Sequence, residues 1–112
     1  MKIAIPLADG RLAMHFGHCE QFALVDVDEA THQHRGTVLL TPPAHEPGVL
    51  PAWLHEQGAE VIIAGGMGQR AQQLFAQKGI RVVYGVESDT PETIVKTFLD
   101  GAIVSGKNLC DH

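Results

Sequence analysis

Apolar residues are spaced differently in the two halves of the chain. In the first half Lys2–Leu7 alternates, with Ile3, Ile5 and Leu7 on one side, as a half-buried strand does. Gln21–Asp28 and Gly36–Thr41 predict two more strands, joined through the polar stretch 28–35. Residues 8–19, with Gly10 and Gly17, read as a long loop that has room for a short helical turn. Prolines at 42, 43 and 47 make the next segment a loop, and a helix is expected from about Pro51, with Leu50, Trp53 and Leu54 on its apolar side and Gly58 at its end.

The second half alternates strands with helices. Val61-Ile62-Ile63-Ala64 is a continuous apolar run, the mark of a strand covered on both faces. Gly65-Gly66-Met67-Gly68 follows, then a helix with Ala71, Leu74 and Phe75 on one face and Gly79 as its stop. Ile80–Tyr84 predicts a fifth strand. Thr90 caps a helix opened by Pro91, with Ile94, Val95, Phe98 and Leu99 inward and Gly101 after it. Three strands joined without helices pair as an antiparallel meander, and the later βαβ units must be parallel and right-handed. The expected fold is therefore α/β, a mixed five-stranded sheet with helices on its faces. Its upper edge gathers the loop 8–19, the loop 42–51, Gly65–Gly68 and the loop 86–89. Ligands usually bind at this edge of α/β sheets.

At 112 residues the chain is expected to form a single domain, residues 1–112, with one modest core. Its formal charge of -5, with 8 scattered Lys and Arg, argues against a nucleic-acid partner. Neither a signal-type apolar region nor a membrane span is evident, so a cytoplasmic location is expected. Thiols stay reduced there, which favours metal binding or redox chemistry over a structural disulfide.

The two cysteines each have a histidine close by, in His15-Phe16-Gly17-His18-Cys19 and Cys110-Asp111-His112. Thiolate with imidazole suits zinc, copper or an iron–sulfur-type cluster better than magnesium or calcium. Cys19 and Cys110 with two of His15, His18 and His112 would form a tetrahedral zinc set, provided the segment after residue 101 climbs back to the upper edge. Met14 and Met67 offer thioether contacts or, more simply, core filling. The glycines at 65, 66 and 68 bring bare amides to a helix start, where anions bind, and Arg70 adds positive charge in the first turn. His45 and Glu46 share that edge, whereas His32, His34 and His55 fall on the other. No Ser-His-Asp arrangement and no pair of catalytic carboxylates is evident.

Taken together, the strand Lys2-Ile-Ala-Ile-Pro6, His15-Phe-Gly-His-Cys-Glu-Gln-Phe22, Val61-Ile-Ile-Ala-Gly-Gly-Met-Gly-Gln-Arg-Ala71, Gly79-Ile80 and Asn108-Leu-Cys-Asp-His112 resemble the dinitrogenase iron–molybdenum cofactor biosynthesis family. The chain looks most like its small stand-alone members, including the orange-protein branch that holds a molybdenum–copper sulfide cluster non-covalently. The resemblance implies a ribonuclease H-like fold with strand order 3-2-1-4-5 and strand two antiparallel. It also implies a carrier rather than a catalyst, one that holds a molybdenum-, iron- or copper-containing sulfide cluster and exchanges it with donor and acceptor proteins. A monomer or weak homodimer is expected. On that reading Gly65, Gly66, Met67, Gly68 and Arg70, with Phe16 and Gly17, cradle the cluster, and His15, His18, Cys19, Cys110 and His112 ligate or flank its metal. Two alternatives stand beside it: an interaction module with a Cys/His zinc site, and a Cys19–Cys110 thiol switch, which needs an accessible cysteine of low pKa.

Overall fold

A computed structural model describes residues 1–44 and 48–101. The elements are β1 (Lys2–Ala8), β2 (Arg11–Leu12), a 3-10 turn (Phe16–His18), β3 (Gln21–Asp28), β4 (Gln33–Leu40), α1 (Val49–Glu56), β5 (Val61–Ile63), α2 (Gln69–Gln77), β6 (Arg81–Val83) and α3 (Pro91–Leu99). They form one mixed sheet in the order β4-β3-β1-β5-β6. β1 and β3 are antiparallel, as are β3 and β4, while β1, β5 and β6 run parallel.

The connections account for these directions. β3 and β4 are joined by a tight polar turn in which the Asp28 carboxylate accepts from the Ala30 and Thr31 amides at 2.9 and 3.2 Å. His32 sits there in the left-handed region, at φ 56°. Arg35 donates to the same carboxylate at 2.9 Å and holds its pKa below the ordinary value, after the larger effect of the Thr31 amide. Parallel strands instead need a crossover, supplied by α2 between β5 and β6.

The sheet has six strands rather than five, because Arg11–Leu12 pairs with the end of β1 (Leu7 with Leu12, Ala8 with Arg11). That pairing starts beyond Ile3 and Ala4, where β1 pairs with β5. β4 starts at Gln33, ahead of the expected Gly36, and absorbs a bulge opposite Asp26/Val27. α1 starts at Val49, with Pro51 in its third position. That is still compatible with proline, since the first turn has no intrahelical partner for its amides.

Each face of the sheet carries its own core. On one, Ala4, Phe22, Leu24 and Ile62 meet Leu50 and Leu54 of α1 and Phe75 of α2. On the other, Ile3, Ile5, Val25, Ile63 and Val83 meet Ile94 and Val95 of α3. α3 is begun by Thr90, whose hydroxyl accepts from the Thr93 amide at 3.4 Å, followed by Pro91. Among the described residues no helix is long and apolar enough to cross a membrane.

Candidate metal-cluster site

Beyond β1 the chain turns through Asp9 and Gly10, forms β2 and then lies across the carboxyl end of β5. Backbone hydrogen bonds fix it there. The Ala13 amide donates to the Pro6 carbonyl at 2.9 Å and the Phe16 amide to the Gly66 carbonyl at 2.9 Å. The Gly66 amide donates to the Met14 carbonyl at 2.6 Å, and His15 and Gly66 form a parallel bridge. On the other side the Gly85 amide donates to the Gly65 carbonyl at 2.8 Å. The Leu12 amide donates to the Asp89 carbonyl at 3.0 Å, and the Ser88 hydroxyl to the Leu12 carbonyl at 2.7 Å. The loops that follow β1, β5 and β6 are thus sewn into one edge.

These bonds reassign the glycines. A Cβ on Gly65 would lie 2.6 Å from the Met14 carbonyl oxygen and 2.8 Å from that of Ala13. Glycine is required at 65 so that two backbones can touch, and the Gly66 amide already has an acceptor. The Gly66 amide is therefore not the open anion-binding amide expected of it. Gly68 is different: it is exposed, a Cβ there meets nothing within 4 Å, and it precedes α2 with no side chain capping the helix. Arg70 is exposed in the first turn of α2.

His15 and His18 flank the 3-10 turn, whose backbone closes as the His18 amide donates to the His15 carbonyl at 3.0 Å. Both side chains are exposed, and their rings lie edge to face with centroids 5.7 Å apart. Two imidazoles bound to one first-row ion, with metal–nitrogen bonds of ~2.0–2.1 Å, have ring centres about 5–6 Å apart. The centroid spacing falls in that range, with the edge of one ring turned to the face of the other. Gly17, between them, is exposed with open space around it.

Three other expected site residues pack into or against the core. After the turn Cys19 adopts an extended conformation (φ -71°, ψ 146°), which carries its side chain into the core beside Phe22 and Leu24. It is 6% exposed, and burial pushes its thiol up to about 11, which leaves it protonated and a poor ligand. Met67 is 1% exposed and belongs to the same core. The half-buried Phe16 ring packs edge-on to Phe75 and Phe22, at 5.4 and 6.2 Å, and pins the turn to the core. Met14, for which core filling was expected, is 63% exposed beside His15. Cys110, His112, His45 and Glu46 lie outside the described residues. Among the described residues no three His, Cys, Asp or Glu side chains are placed to hold one metal ion. The sequence reading missed Ser88 and Asp89, because a hydroxyl and a carbonyl bonded to residue 12 leave no local signature.

The family model described as "Dinitrogenase iron-molybdenum cofactor" matches residues 1–101. The chain belongs to this family. The family match takes in His15, His18 and the segment 65–70 and stops short of Cys110 and His112. Among relatives, the uncharacterized protein MJ0580 of Methanocaldococcus jannaschii is 32% identical over 106 residues, covering 92% of this chain and 89% of its own length. Among solved structures, PH0822 is similar with a TM-score of 0.84 and 29% identity, over 95% of this chain and 96% of that one. The apo form of the orange protein from Desulfovibrio gigas has a TM-score of 0.74 and 27% identity, over 96% and 93%.

Proposed function

We propose that the chain is a carrier for a metal–sulfur cluster, held at the upper sheet edge by His15 and His18. The observation that supports this most directly is the pair of exposed imidazole rings 5.7 Å apart on a turn tied by backbone bonds to Gly66. Two imidazole rings on a turn that needs little ordering can take up one metal of a cluster whose other valences are filled by its own sulfides. The exposed start of α2 at Gly68, with Arg70, supplies partial and full positive charge for anionic sulfur. Membership of the iron-molybdenum cofactor family and likeness to the orange protein favour molybdenum, iron or copper as the metal.

On this reading the fold is ribonuclease H-like and the chain acts in the cytoplasm. It binds and passes on its cargo between donor and acceptor proteins without transforming it. The zinc module is the weaker reading, since a closed structural site needs four ligands and Cys19 is buried as a thiol. The thiol switch is weaker for the same reason.

The test is anaerobic reconstitution with tetrathiomolybdate and Cu(I), followed by elemental analysis and a visible spectrum. A coloured protein with stoichiometric molybdenum, bleached by His15→Ala/His18→Ala, supports the proposal. Protein that stays colourless and metal-free, with iron and sulfide as well, overturns it.

A further inference from the structure

The far edge of the sheet from β6 is β4, and among the described residues no strand pairs with its outer side. An uncovered edge presents a row of backbone donors and acceptors, which proteins usually blunt with proline, lysine or covering elements. Gln33–Leu40 contains neither proline nor lysine. Its bulge lies at the amino-terminal end, so Gly36–Leu40 remains in regular register with Phe22–Asp26.

The helices stop short of this corner on both faces. One face carries an open cavity of about 360 Å³ walled by Lys2, Leu24, Asp26, Arg35 and Val38. The other carries one of about 370 Å³ walled by Val25, His34, Thr37, Val95 and Leu99. Val38 and Leu39 are 57% and 58% exposed, one on each face. Large aliphatic side chains adjacent on a regular, open edge are what strand addition buries.

We infer that two copies of this chain associate through β4, antiparallel about a two-fold axis at Val38. The sequence of the strand singles out a second copy as the occupant. An antiparallel strand paired with itself closes as a dimer and leaves no further edge. With Val38 opposite its own counterpart, Thr37 faces Leu39 of the second copy, Gly36 faces Leu40 and Arg35 faces Thr41. No like charges meet, although the chain carries a net charge of -5. Arg35 is the strand's formal charge, and it is already held by Asp28. In this register residues 35–41 of each copy face one another, an overlap of about 23 Å. An overlap this short buries less than the ~1,200 Å² of a standard interface, so association is weak and concentration-dependent. The inference is independent of the cluster reading.

Sedimentation or light scattering over a wide concentration range tests it. The mass should rise from 12.1 kDa towards twice that value. Val38→Lys/Leu39→Lys should keep the monomer mass throughout with an unchanged melting temperature. In a Cys110→Ser background, Val38→Cys treated with diamide should give a disulfide-linked dimer, because residues opposed on the axis have Cα atoms ~4.5–5.5 Å apart. The same treatment of Gln73→Cys, on the exposed side of α2, should not. A wild-type mass that never leaves the monomer value, or a dimer that survives the double lysine substitution, overturns the inference.

Discussion

At the scale of single residues, neighbours in sequence here have opposite chemical fates. His18 and Cys19 are adjacent, yet one is exposed and the other sits in the core as a protonated thiol. Burial raises the Cys19 pKa from 9.0 to about 11, so at about pH 8 the folded protein holds roughly a hundredfold less thiolate than the unfolded chain. Alkylation of Cys19 by iodoacetamide, read by peptide mass spectrometry, should be slower in the folded protein by at least that factor. The same shift couples to stability. A thiol with a raised folded pKa favours the folded state while protonated, so its contribution is complete below pH 9.0 and is lost as the pH rises through about 11. Urea melts on either side of that window should show a loss that Cys19→Ala removes. Glycines divide in the same way. Gly65→Ala drives a Cβ into two carbonyl oxygens and should cost about 1–3 kcal/mol, whereas Gly68→Ala, with open space around it, should leave stability nearly unchanged. Sequence spacing grouped the ligands and the glycines but could not separate them. What separates them is the direction of a side chain leaving a 3-10 turn and the approach of a loop from fifty residues away.

At the scale of elements, the strands and helices whose periodicity is imposed by burial were legible. β1 alternates because residues on either side enter different cores, and β5 is uniformly apolar because both faces are covered. β4 was legible only in its apolar second half. An edge strand with few buried positions has no alternation to betray it, and its polar start was assigned to the turn. β2 is two residues long and is set by backbone pairing with Leu7 and Ala8, which no side-chain pattern encodes. α3, by contrast, announced itself through Thr90 and Pro91. It provides the helix side chains in the second core, so its cap should matter beyond its own turn. Thr90→Ala removes the acceptor for the Thr93 amide and should lower stability by about 1 kcal/mol, readable as a shift in the thermal midpoint. Phe16→Ala should cost more, roughly 2–3 kcal/mol, because it cuts the 3-10 turn from Phe22 and Phe75.

At the scale of the whole molecule, the two cores and the upper edge divide the work between them. Cys19, Phe16 and Met67 look inward and stabilise the scaffold, while His15, His18, Gly68 and Arg70 face out from it. If the edge is the cluster site, binding and stability should be separable by mutation. His15→Ala/His18→Ala removes two exposed side chains whose backbone is held by bonds to Gly66, so the melting temperature of the apo protein should not fall measurably. The same variant should lose the colour of the reconstituted protein. Cys19→Ala should do the reverse: it leaves a small void beside Phe22 and lowers stability by about 1 kcal/mol, with bound metal per chain unchanged. Elemental analysis and calorimetry on the same samples read both quantities. Colour lost with Cys19 and kept without the histidines would make the buried thiol the ligand. The loop 12–19 would then have to open away from Gly65 and Gly66 to release it. That opening breaks the bonds donated by the Gly66 amide to Met14 and by the Phe16 amide to Gly66, so faster amide exchange at Phe16 and Gly66 on cluster loading would accompany that outcome, and slower or unchanged exchange the proposed one.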